Sequence, residues 1–273
     1  CRRFPRLRLR HAQGGGLGHP PFFAGGPGVA GPAYNRAMFN PQPRVEVVPI
    51  GGRQACYVID DALLEPGRLV ELAVAERARF VEAPHNAYPG LELRMPDAFS
   101  AALDQFFRLR VRELLGVRRV QRMYSRLSLV TRPPQALTPP QWLPHRDRMQ
   151  KVPGECVSAS VLYLFRDPAL GGTRFYRQKQ PERETARLLY DSVVLSTADF
   201  RARYPVDAGY MGESNAFFEH VLTIEPKWNR LVFYDGDVFH SGDIRAPERL
   251  SDDPAAGRLT LNGFFTGTRP LTA

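Results

Sequence analysis

The spacing of apolar positions divides the chain into a patternless start, a mixed helix-and-strand stretch and a long strand-rich remainder. Residues 44–50 and 54–60 alternate around Gly51-Gly52 and predict a β-hairpin. Asp60 or Asp61 is placed to cap a following helix that carries Leu69, Leu72, Ala73 and Ala75 and ends before Pro84. Tyr88-Pro89-Gly90 reads as a turn. Over residues 96–115, Phe99, Leu103, Phe106, Phe107, Val111, Leu114 and Leu115 recur at helical spacing, and Gly116 stops the pattern. Such a stripe is more often core than a cofactor site, so this helix is expected to back a sheet. Strands are then predicted at 120–131, 157–165, 172–176, 219–224, 230–234, 238–241 and 258–265. A Pro-rich loop spans 133–142, a polar loop spans 247–257, and 177–216 reads as an insertion with a helix at 182–190. Many short strands joined by Gly, Pro and Asp turns predict a mainly β protein with supporting helices, a sandwich or a barrel.

Composition changes this picture at one end only. Residues 1–40 are rich in Gly, Pro and Arg, hold six arginines and no acid, and cannot bury enough apolar surface to fold; a disordered tail is expected there. The chain begins with Cys, and Met38 is the expected biological start. A single domain is expected over 41–273. The formal charge of +9 suggests nucleic acid, but without the six tail arginines 31 basic residues face 28 acidic ones. A basic tail is weaker grounds than a basic face, so no nucleic-acid partner is expected. No apolar run reaches the length of a membrane span, so no membrane partner is expected either. Cys1, Cys56 and Cys156 stand far apart, which suggests neither a disulfide framework nor a CxxC metal site and makes the cytoplasm the default. Oligomeric state is not legible.

Chemistry concentrates at Pro144-His145-Arg146-Asp147. On a strand, alternation puts His145 and Asp147 on one face. His240, in the run 231–240, is positioned to join them from a neighbouring strand. Two histidines and one carboxylate on one side of a metal leave its other side open, the arrangement of non-haem Fe(II) oxygenases. His145-Arg146-Asp147 also spells the kinase catalytic-loop tripeptide, but position 152 is Val rather than Asn and no Asp-Phe-Gly follows. Gly171-Gly172 reads as a hairpin turn rather than a phosphate cradle. His220 reads as structural, Trp142 and Trp228 as packing residues, with Trp142 near enough to His145 to line a pocket.

The series PHRD, LYLF-x-DP-x-x-GG-x-x-FY, NRLVFYDGDVFHSG and RLTLNGFF resembles Fe(II)/2-oxoglutarate-dependent dioxygenases of the prolyl-hydroxylase-like type, and within them an uncharacterised bacterial family. The likeness runs from about Arg44 to Phe265. It implies a double-stranded β-helix (jelly roll) with N-terminal helices packed on one sheet. It implies Fe(II) on His145, Asp147 and His240, with 2-oxoglutarate as cosubstrate and O2 as oxidant. Arg258 matches the basic residue that pairs with the distal carboxylate of 2-oxoglutarate, Tyr163 matches a position whose hydroxyl helps bind it, and Thr260 shares the face of Arg258. The interval from His240 to Arg258 is longer than the family's, which leaves Arg245 and Arg249 as alternative anchors. The interval from Asp147 to His240 is also long, and its excess, 177–216, would form a substrate lid. The implied reaction is hydroxylation of a small-molecule or peptidyl substrate. A cupin-like metal or ligand-binding protein without 2-oxoglutarate turnover is the alternative.

Overall fold

The computed structural model describes residues 38–82, 87–147 and 152–270; the expected tail at 1–37 lies outside them. In chain order the described residues form β1 (Glu46–Gly51), β2 (Gln54–Ile59), α1 (Gly67–Ala75), β3 (Val81–Glu82), β4 (Gly90–Arg94), α2 (Asp97–Arg110) and β5 (Arg119–Val130). Then come β6 (Glu155–Tyr163), β7 (Thr173–Gln178), α3 (Glu182–Val194), α4 (Thr197–Arg203), β8 (Phe218–Ile224), β9 (Leu231–Asp235), β10 (Phe239–Gly242) and β11 (Arg258–Thr268). The protein is mainly β. Eight strands pair antiparallel in the order β1-β2-β9-β6-β11-β5-β4-β3, and a smaller antiparallel sheet runs β10-β7-β8.

Alternation on β11 gives the large sheet two unlike faces. Leu259, Leu261 and Phe265 point to one side, where they join a core with Phe99, Leu103 and Phe107 of α2. The Phe107 ring lies 4.2 Å from that of Phe265 and 5.6 Å from that of Phe233. Each aromatic buried this way contributes about 1.5–3 kcal/mol, which holds α2 on the sheet. Arg258, Thr260 and Asn262 take the alternate positions and face the other side. A second core, with Val58, Ala159, Tyr163, Phe175, Val232 and Tyr234, draws on both sheets and fills the space between them. The segment between β7 and β8 has a core of its own: Leu188, Phe200 and Met211 pack with Trp142, Tyr176 and Phe239. Tyr210 of that segment donates to the Arg132 carbonyl at 2.6 Å.

Several expectations need correction. Neither Asp60 nor Asp61 caps α1, whose N-cap is Pro66. Asp60 is instead held by Arg230 at 2.7 Å and Lys227 at 2.8 Å. The second helix ends at Arg110, not near Gly116: Val111 is fully buried and leaves helical geometry there, and residues 111–116 continue as turns that leave Leu114 half exposed. The predicted strand at His145 shrinks to an isolated bridge with His240. The turn at 88–90 opens directly into β4, an unpredicted strand. The insertion carries two helices, because Leu195 breaks the helical run and the Ser196 hydroxyl caps a new one by accepting from the Asp199 N–H. Among the described residues no helix is long and apolar enough to cross a membrane.

Candidate metal centre

Backbone hydrogen bonds place the His-x-Asp segment. The His145 N–H donates to the His240 carbonyl and the His240 N–H returns a bond to the His145 carbonyl, both at 2.9 Å. The Asp147 N–H donates to the Gly236 carbonyl at 2.9 Å. His145 therefore lies against β10 and Asp147 against Gly236, just past the end of β9, and Arg146 between them points elsewhere. Its guanidinium stacks over Phe239 at 4.0 Å and pairs with Glu182 of α3 at 2.9 Å.

His145, Asp147 and His240 each bring one ligand atom into a group whose members all lie within 4.8 Å of one another. Nε2 of His145 is 3.7 Å from Oδ1 of Asp147, and Nε2 of His240 is 3.5 Å from Oδ2. These separations exceed good hydrogen bonds; the atoms face a common point. Three details suit a cation there. Oδ2 of Asp147 is buried without a hydrogen-bond partner. Nδ1 of His240 meets the Val238 carbonyl at 2.9 Å, so it carries the proton and leaves the Nε2 lone pair aimed inward. Two nitrogens and one oxygen form the donor set that suits non-haem iron.

Desolvation dominates the protonation of these three side chains. The Asp147 side chain, 8% exposed, is raised to about 6 by burial, with His145 and Arg126 pulling the other way. His240, 6% exposed, is lowered to about 4 by burial. Burial and then the His240 charge also push His145 down, but its side chain is 58% exposed, so desolvation acts less on it than on His240. Neutral imidazoles are the form a metal requires.

Arg258 lies on the inner face of β11, 4% exposed. Its Nε donates to the carbonyls of Leu170 and Gly171 at 3.0 and 3.1 Å, and a terminal nitrogen donates to the Gly172 carbonyl. Among the described residues no carboxylate pairs with it. The other two candidate anchors are engaged: Arg245 pairs with Glu225 at 2.7 Å and Asp243 at 2.6 Å, and Arg249 with Asp167 at 2.6 Å. Tyr163 is fully buried, with its hydroxyl 2.8 Å from that of Thr173. Thr260 stands opposite Tyr163 in the sheet; its hydroxyl makes a long 3.5 Å bond to the Ser128 carbonyl and receives Asn262 at 3.3 Å.

The other residues singled out fall outside this cluster. His220 bonds Thr223 at 2.8 Å. Trp142 is buried, donates to the Leu137 carbonyl at 3.2 Å and packs near Phe200, which makes it a core residue. Trp228 carries Arg166 over its ring. His85 lies outside the described residues. Two features escaped the sequence reading. Gly171-Gly172, taken for an ordinary turn, supplies carbonyls to Arg258; a Cβ at Gly171 would collide with the Asp243 backbone and one at Gly172 with that of Ile224. Arg126, paired with Glu92 at 2.9 Å, faces the cluster closely enough to act on both Asp147 and His145. These partners are distant in sequence, and no local pattern announces them.

A family model matches residues 41–265. The chain belongs to DUF6445, a family of unknown function. No curated protein matches this DUF6445 chain. Among solved structures, a prolyl-4-hydroxylase of Pseudomonas putida is similar at 20% identity over 76% of this chain and 88% of its own, with a TM-score of 0.38. HygX from Streptomyces hygroscopicus, crystallised with nickel and 2-oxoglutarate, is similar at 13% identity over 78% of this chain and 82% of its own, with a TM-score of 0.42. SnoN, a non-heme alpha ketoglutarate dependent epimerase from nogalamycin biosynthesis, is similar at 11% identity over 81% of this chain and 83% of its own, with a TM-score of 0.44. Likeness at this level assigns no reaction to the DUF6445 chain; its chemistry has to be argued from its own residues.

Proposed function

We propose that this protein is a non-haem Fe(II) oxygenase that couples oxidative decarboxylation of 2-oxoglutarate to hydroxylation of a small-molecule or peptidyl substrate, on a double-stranded β-helix core. The observation that carries the reading is the pairing of a two-histidine, one-carboxylate cluster with a buried guanidinium that has no carboxylate partner among the described residues. Iron held there supplies the O2 chemistry that no side chain can. His145, Asp147 and His240 would hold it. The Val238 carbonyl fixes the tautomer of His240, and the Asp147 carboxylate offsets part of the ion's charge. Arg258 receives the distal carboxylate of the 2-oxo acid: its fork suits a carboxylate, and the Leu170, Gly171 and Gly172 carbonyls keep it turned. The Tyr163 and Thr260 hydroxyls lie along the same wall.

Anaerobic titration of the metal-free protein with Fe(II) and then 2-oxoglutarate tests this reading through the visible charge-transfer band expected when both are bound. Asp147→Ala should lose Fe(II) affinity and the band together. An Asp147→Ala protein that turns over 2-oxoglutarate at the wild-type rate would remove the metal assignment. Iron uptake with no band would support the cupin-like alternative instead.

A further inference from the structure

Gly242 closes β10, two residues after His240, so the two residues share a face of the strand. Glycine within a strand is a cost, since it orders a freer chain and packs no side chain. At several other glycines backbone crowding explains it, and at Gly263 the crowding comes from the Ser160 and Leu103 side chains. A Cβ at Gly90 would strike the Leu129 carbonyl, one at Gly172 the Ile224 carbonyl, and one at Gly257 or Gly267 would press on Ser251 or Arg119 backbone at 2.5 Å. Gly242 has no such reason. Its φ is outside the left-handed region, and the nearest atoms a Cβ there would meet are Cδ1 of Ile244 at 3.5 Å and the Arg258 guanidinium at 3.8 Å, ordinary contact distances. The backbone would accept a side chain. What lies in front of Gly242 is the Arg258 head group, and beside it along the strand is the metal-facing His240. Thr173, bonded to Tyr163, stands directly across the ladder.

We infer that Gly242 is a specificity-determining residue: its missing side chain leaves the passage through which the carbon chain of a five-carbon 2-oxo dicarboxylic acid runs from the metal to Arg258. This rests on the proposed oxygenase reading and adds what selects the cosubstrate. A side chain at 242 would occupy the space next to the guanidinium while leaving His145, Asp147 and His240 in place. It would exclude the distal carboxylate and leave untouched a 2-oxo acid that ends short of Arg258.

The test uses the full chain loaded with Fe(II) under anaerobic conditions, with 2-oxoglutarate and pyruvate as probes. Wild type should prefer 2-oxoglutarate. Gly242→Val should weaken 2-oxoglutarate at least about tenfold, as overpacking of a filled site does, with pyruvate and Fe(II) affinities held. Gly242→Ala, whose single methyl has room, should show the same loss to a smaller degree, and it decides the matter if the Val protein fails to fold. Unchanged 2-oxoglutarate affinity in the Ala and Val proteins would overturn the assignment, as would a parallel loss of pyruvate or Fe(II) in Gly242→Ala. Wild-type protein that binds Fe(II) but not 2-oxoglutarate would instead overturn the oxygenase reading itself.

Discussion

Arg258 is a buried charge held, among the described residues, by three backbone carbonyls and lying over the Phe165 ring. Carbonyl dipoles offset part of the desolvation cost, and a carboxylate ligand would offset much of the rest. Replacing the guanidinium by a neutral chain of similar length, Arg258→Met, should therefore weaken 2-oxoglutarate about 10- to 100-fold, the value of a charge-assisted pair, and leave Fe(II) binding intact. Calorimetric titration of the metal-loaded variant measures this, and Arg258→Lys should recover only part of the loss because a point charge lacks the fork. The sequence shows the three metal-cluster residues by their types and period-2 spacing. It favours Arg258, which opens a strand, and leaves Arg245 and Arg249 open. That Glu225 and Asp243 pair with Arg245 and Asp167 with Arg249 is not legible there, because those contacts exist only once the chain is folded.

Most strands are legible from alternation, because a face-specific environment imprints period 2 on the sequence. Where legibility fails, non-local bonds are responsible. β3 is two residues long, and β4 is recognisable only through its pairing with β5. The expected cap at Asp60 is a tie between elements: its carboxylate joins the end of β2 to Arg230 and Lys227 beside β9. Hydrogen bonding from Arg230 outweighs burial and holds Asp60 down at about 2. A carboxyl lower in the folded state contributes stability above its ordinary value of 3.8, and that contribution is lost as pH falls from about 4 towards 2. Asp60→Asn should melt at a lower temperature near neutrality, and its difference from wild type should shrink across that acid window. A constant difference from pH 7 to pH 2 would show that the tie acts through shape rather than charge.

At the level of the whole molecule, the cluster draws on the segment before β6 and on β10, so an ion there joins two stretches about ninety residues apart in the chain. Binding to the folded state alone should raise the melting temperature by several degrees, about 2.7 kcal/mol at a hundredfold excess over Kd. Thermal melts with Fe(II) or Ni(II) should show the rise, and a chelator should reverse it. An Asp147→Ala protein should show neither change. The cluster is also lopsided. His240 is sealed between Phe175 and Tyr234 with its ring tied to a carbonyl, while most of the His145 side chain meets solvent. Chemically alike, the two imidazoles differ in access: one is a fixed post and the other a gatepost. Traffic of the ion in and out should pass on the His145 side, and adventitious oxidants should scar that residue first.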